Sequence, residues 1–124
     1  MRSGILSVPE ARRISYSQCI HWLHSQLNYD VDVPALAKAA NMSRSAFFKH
    51  FKAVTAMSPI QYQKRLRLLE ARRLMIESGE TAEGSAFKVG YKSASQFSRE
   101  YSRMFGNSPL RDAIKIKEMV TLEV

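Results

Sequence analysis

SRSAFFKHFKAVTAMSP (residues 43–59) and SASQFSREYSRMFGNSP (residues 93–109) are two copies of one pattern, set fifty residues apart. Ser43, Ser45, Phe47, Ser58 and Pro59 recur as Ser93, Ser95, Phe97, Ser108 and Pro109. Lys49 recurs as Arg99, and Phe51 as Tyr101. Chance supplies two or three identities at one register. Five, each in the same predicted local structure, mark a repeat. In each copy a serine stands where a helix N-cap belongs, because its hydroxyl accepts from an otherwise unpaired N–H of the first turn. Each copy closes on Ser-Pro, a cap followed by proline at the first helical position.

Projecting both helices at about 100° per residue separates two faces. Phe47, Phe51 and Val54 share one stripe in the first copy, and Phe97, Tyr101, Met104 and Phe105 in the second. These stripes are expected in the core. The opposite faces carry Ser45, Lys49 and Lys52, and Ser95, Arg99 and Ser102. Arg44 and Phe48 flank the first face; Ala94, Ser98 and Arg103 flank the second. Small groups near a helix N-terminus allow close approach to a partner, and a cation one turn on reaches guanine O6 and N7 or a phosphate. Phe48 lies a little off the core stripe, as a core-edge residue or as a surface against a thymine methyl. His50 falls between the two faces.

Working outward, the pattern is helical almost throughout. A first helix spans about Ser15 to Asn28, with Ile20, Leu23 and Leu27 on one side. Asp32 caps a short helix to about Ala40, with Pro34 in its first turn. A turn at Asn41-Met42 leads to the first copy. Ser58-Pro59-Ile60-Gln61 has the form of a capping box and opens a long helix to about Ser78, stopped at Gly79. Thr81 starts a short helix to about Gly90 before the second copy, and Ser108-Pro109 starts a last helix to about Lys117. Short helix, tight turn and longer helix is the helix-turn-helix pattern, and it occurs twice. The expected organisation is a leader over 1–14, a first subdomain over 15–57, a linking helix over 58–78, a second subdomain over 79–117 and a tail over 118–124.

Bulk composition agrees. The 124 residues carry nineteen Lys and Arg against eleven Asp and Glu, a formal charge of +8. Between Arg44 and Arg73 eight basic residues face one acid, Glu70. Such a concentrated field suits a polyanion. Arg65, Arg67, Arg72 and Arg73 are expected to divide between phosphate contacts and ion pairs with Glu70 and Glu77, while Leu66, Leu69, Leu74 and Ile76 join two small cores. A membrane-surface or calmodulin-type role for this basic helix is the weaker alternative. No run of 18 apolar residues spans a membrane. The single cysteine, Cys19, excludes an internal disulfide, suits a reducing cytoplasm and reads as a small buried hydrophobe. His21 and His24 lack a carboxylate or thiolate at ligand spacing, so no metal or other cofactor is expected. No catalytic motif occurs, so no enzyme is expected.

The stretches DVPALAKAANMSRSAFFKHFKAVTAMSPIQYQKRLRLLEARRLM and AFKVGYKSASQFSREYSRMFGNSP resemble the AraC/XylS family of bacterial transcription regulators over roughly Ser15 to Lys115. The second carries Gly90-Tyr91, Ser93, Phe97, Arg99, Tyr101, Phe105, Gly106 and Ser108-Pro109 of the family signature. The resemblance implies an all-α fold of seven helices, with two homeodomain-like helix-turn-helix subdomains bridged by the long central helix. It further implies two recognition helices in successive major-groove segments of double-stranded DNA, about 34 Å apart. Matching positions are Arg44, Ser45, Phe48, Lys49 and Lys52, then Ser93, Ala94, Ser95, Ser98, Arg99 and Arg103. RNA polymerase or another acidic partner is the alternative ligand of the basic surfaces. Most family members place a ligand-binding or dimerising domain ahead of this module, so the chain is either a fragment or a stand-alone regulator, expected to be monomeric as an isolated domain and dimeric if an N-terminal domain outside this sequence joins two copies. Ser85 stands where the family carries isoleucine or leucine. Gly84 precedes it, and glycine costs a helix interior about 1 kcal/mol. The second subdomain is therefore expected to be less rigid and to read fewer bases than the first.

Overall fold

The helices beginning at Val33, Arg44, Ala82 and Ala94 have a side-chain cap at the start and a left-handed residue at or just past the end, and they are four of the seven described helices. In the computed structural model, which describes residues 16–123, these are α1 (Tyr16–Ser25), α2 (Val33–Ala39), α3 (Arg44–Thr55), α4 (Pro59–Glu77), α5 (Ala82–Lys88), α6 (Ala94–Phe105) and α7 (Pro109–Glu123). Among the described residues there is no strand. The expected leader over 1–14 lies outside them.

The caps fall where the serines and acids predict. The Ala35 N–H donates to Asp32 Oδ1 at 3.1 Å, the Ala46 N–H to Ser43 Oγ at 3.1 Å and the Gln96 N–H to Ser93 Oγ at 3.2 Å. At the head of α4 the capping box is reciprocal: Gln61 N donates to Ser58 Oγ at 3.2 Å, and Ser58 N to Gln61 Oε1 at 3.1 Å. Both α3 and α6 end on a left-handed residue, Ala56 with φ 64° and Gly106 with φ 79°. Alanine there bears a backbone penalty of about 1–2 kcal/mol that glycine escapes.

The chain divides into two compact units between Lys64 and Arg65, inside α4. The helix expected as a separate linker over 58–78 therefore belongs in part to each. In the first unit Cys19, Leu23, Leu36, Ala37, Ala40, Phe47 and Phe51 are buried. The Phe51 ring meets Tyr62 of α4 edge-on at 5.5 Å. Gln63, also buried, closes the loop before α2: its Nε2 donates to the Tyr29 carbonyl at 2.5 Å, and Val31 N donates to its Oε1 at 3.0 Å.

In the second unit Leu68, Ala71, Met75, Ala86, Val89, Tyr91, Phe97, Tyr101 and Ala113 form the core, with Leu74, Met104 and Phe105 packed on it. Leu69, expected in a core, is 39% exposed, and Leu68 takes the inward place. The fifty-residue shift pairs Phe51 with Tyr101 and Tyr62 with Asp112, so the ring contact of the first unit becomes a polar one here. Tyr101 OH donates to Asp112 Oδ2 at 2.5 Å, and Arg72 grips the same carboxylate at 2.9 and 3.3 Å. The Arg72 guanidinium also stacks over Phe105 at 4.2 Å. Burial, and then the bond to Asp112, push the Tyr101 phenol well above its usual range.

The two copies differ by one residue ahead of α3 and α6. Met42 N donates to the Ala37 carbonyl and Tyr91 N to Ala86, closing corresponding turns. That correspondence shifts by forty-nine, not fifty, so the second turn holds one extra residue before its serine cap. Leu36 then corresponds to Ser85, and both are fully buried. The Ser85 hydroxyl finds no partner among the described residues. Gly84 sits in the first turn, donating its N–H to the Thr81 cap at 2.9 Å, the position that Ala35, Ala46 and Gln96 fill in the other caps. A Cβ there would meet Thr81 Oγ1 at 2.9 Å and the flexible end of Glu80, so some side-chain shift would accompany it.

Two element ends depart from expectation. α1 stops at Ser25, where the Ser25 hydroxyl bonds the Trp22 carbonyl. α7 continues through the expected tail to Glu123, since neither glycine nor proline interrupts 110–123.

Two stability outcomes follow from these contacts. Asp112→Ala strands the Tyr101 hydroxyl and frees Arg72. Because Arg72 is 32% exposed and partly screened, the cost is about 2–3 kcal/mol by urea unfolding, below that of a fully buried pair. Ser85→Ala removes an unpaired buried hydroxyl and raises stability by about 1 kcal/mol in the same measurement. A loss of stability instead would mean that the hydroxyl has a partner after all.

Candidate nucleic-acid interface

Helix α3 buries Phe47 and Phe51 completely, which fixes what its other side presents. Arg44, Ser45, Phe48, Lys49 and Lys52 are all exposed. At helical spacing they share an arc of about 140°. None of the three cations there makes an ion pair among the described residues. Val54, expected on the core stripe, is 61% exposed: one turn past Phe51 the helix has run beyond the core.

Helix α6 repeats the arrangement with smaller groups. Phe97 and Tyr101 are buried. Ser95, Ser98, Arg99 and Arg103 are exposed; Ser93, Ala94 and Ser102 are half-buried, with Ser93 committed to the cap. Glu100, on the same helix, accepts from Tyr91 OH at 2.6 Å and from Gln96 Nε2 at 3.1 Å. The extra turn residue leaves Lys92 exposed just ahead of the Ser93 cap. The fifty-residue register hides this cation, because the insertion that creates it appears only when the preceding helices are aligned at forty-nine.

The basic run on α4 is mostly committed within the protein. Arg72 holds Asp112, and Arg73 pairs with Glu70 at 2.7 Å and Glu77 at 3.5 Å. The Arg73 hydrogen bond holds the Glu70 carboxyl below its usual range. Arg67 is buried. Of the four arginines expected to share phosphate contacts, Arg65 alone is both exposed and outside an ion pair among the described residues.

His21 and His24 are exposed, and His24 Nε2 lies 3.4 Å from Tyr62 OH. No group of three potential metal ligands forms among the described residues. No described helix is long and apolar enough to cross a membrane.

The helix-turn-helix domain family matches residues 36–112, from the first short helix to the start of α7. The chain belongs to the AraC-type helix-turn-helix family. This AraC-type domain is similar in structure to the DNA-binding domain of AdpA, a global transcriptional factor solved with a target DNA. The TM-score is 0.75 at 27% identity, over 83% of this chain and 93% of that one. An AraC-type regulator from Chromobacterium violaceum shares the fold, with a TM-score of 0.73 at 20% identity over 80% of this chain and 88% of that one. In sequence the domain is 27% identical to the transcriptional activator RhaS of Enterobacter sp. (strain 638) over 108 residues, 87% of this chain. It is 30% identical to RhaS of Pectobacterium carotovorum over 88 residues, 71% of this chain. The chain spans 39% and 32% of the length of those two relatives.

Cys19 lies in the core of the first unit, where burial pushes its thiol up to about 11. Complete burial keeps the reagent away and disfavours the thiolate, so alkylation by iodoacetamide is expected to be negligible at pH 8 in the folded protein and complete in urea. Mass spectrometry of the two samples checks it; ready labelling of the folded chain would show an accessible, activated cysteine.

Proposed function

We propose that the chain binds double-stranded DNA sequence-specifically as the DNA-binding part of a bacterial transcription regulator, with α3 and α6 as its two recognition helices. The observation that carries this is the repeated division of labour on those helices. Each buries an aromatic pair one turn apart and turns small polar groups and unpaired cations outward. The AdpA domain bound to its target DNA supports the same use of the fold.

In this scheme Ser45 and Ser95 allow close approach, and Lys49 and Arg99 reach base edges. Lys52, Arg103, Arg44 and the half-buried Ala94 with Ser98 lie along the groove walls, where contacts position more than they specify. Ser93 holds its helix start against the backbone. The two helices are proposed to occupy successive major-groove segments, with the isolated chain acting as a monomer at the nucleoid. It binds rather than catalyses. Contact with RNA polymerase is a second role, favoured by exposed Leu110, Ile114 and Leu122 on α7, which face no described neighbour in the core.

Selection from a random duplex pool, followed by titration of the surviving site at several salt concentrations, tests the proposal. Lys49→Ala and Arg99→Ala should each cost about 1–3 kcal/mol in duplex affinity. Undiminished binding in the double variant, or a pool that yields no preferred site, would direct attention to the protein-partner role instead.

A further inference from the structure

Phe48 is 42% exposed on the outward face of α3, although Phe47 and Phe51 beside it are fully buried. It therefore sits at the edge of the core rather than inside it. The fifty-residue shift places Ser98 at the corresponding position of α6, so the fold needs no aromatic there. The ring keeps 42% of its surface open in the middle of the arc formed by Arg44, Lys49 and Lys52. Its chemistry differs from that of its neighbours. They offer charge and hydrogen bonds; the ring offers only apolar contact. In a major groove the apolar feature is the methyl group at C5 of a pyrimidine.

We infer that Phe48 packs against a pyrimidine C5-methyl group in the major groove, making the first unit a methyl reader at one base pair. The inference rests on duplex binding through α3. The methyl can come from thymine or from 5-methylcytosine. On α6 the serine at the same place gives the second unit no equivalent preference.

The test uses the whole chain and the duplex that survives random selection. Each thymine is replaced in turn by deoxyuridine, and each cytosine by 5-methylcytosine. Burial of one methyl is worth about fourfold in affinity, so deoxyuridine at one position should weaken binding by about that factor if thymine is read. A gain of similar size from 5-methylcytosine at one position would identify the other source. In Phe48→Ser the discrimination at that position should vanish while Phe48→Leu keeps part of it. Ser98 in α6 shows that serine is compatible with this fold position, and a thermal melt verifies that both variants fold. If neither replacement changes affinity, or if Phe48→Ser retains the full methyl effect, the inference is overturned with duplex binding intact. If no duplex is bound at all, duplex binding itself fails and the inference with it.

Discussion

Each unit depends on two aromatic side chains one turn apart, driven inward from the middle of one helix, α3 in the first unit and α6 in the second. Phe47 and Phe51 do this in the first unit, with ring centres 5.9 Å apart, and Phe97 and Tyr101 in the second, at 5.5 Å. Small units bury little area, so a pair of fully sequestered rings is a large share of what each has. Locking one side of a helix this firmly also sets the azimuth of the other side. The outward residues of α3 and α6 need no contacts of their own to be aimed.

Around that shared constraint the units have diverged in how they close. The first finishes with ring against ring, Phe51 on Tyr62. The second finishes with Tyr101, Asp112 and the partly exposed Arg72 in a hydrogen-bonded cluster. An apolar closure is tolerant of small shifts; a bidentate carboxylate contact is not. The second unit gives up a large side chain at Ser85 but gains directional contacts between α4, α6 and α7. These sit uneasily with an expectation of lower rigidity drawn from Gly84 and Ser85 alone.

The element order and the recognition helices were legible in the sequence because their signals are local. Serine caps, Ser-Pro starts and left-handed stops act within one turn, and α3 starts directly after its expected cap, Ser43. The outward positions were legible for the same reason: a helix with two identified inward residues leaves its opposite face determined. What was not legible required knowing which partners meet. Arg72 reads as one cation in a run until Asp112, forty residues on, is seen to hold it. Leu69 and Leu68 are equally apolar, and only packing separates them. Val54 follows the stripe in projection, yet the core ends before reaching it. The forty-nine-residue register escaped because the identities that reveal the repeat all begin at Ser43, after the insertion.

The internal commitments of α4 bear on how this protein would respond to ionic strength. Counterion release counts the side chains that neutralise phosphates, not the formal charge of the chain. Arg72 and Arg73 already have carboxylate partners, and Arg67 is withdrawn from solvent. The number of cations available to a polyanion is thus smaller than the nineteen Lys and Arg of the sequence suggest. In the proposed complex Arg44, Lys49 and Lys52 on α3 and Arg99 and Arg103 on α6 would supply most of the phosphate neutralisation, so few counterions would be displaced.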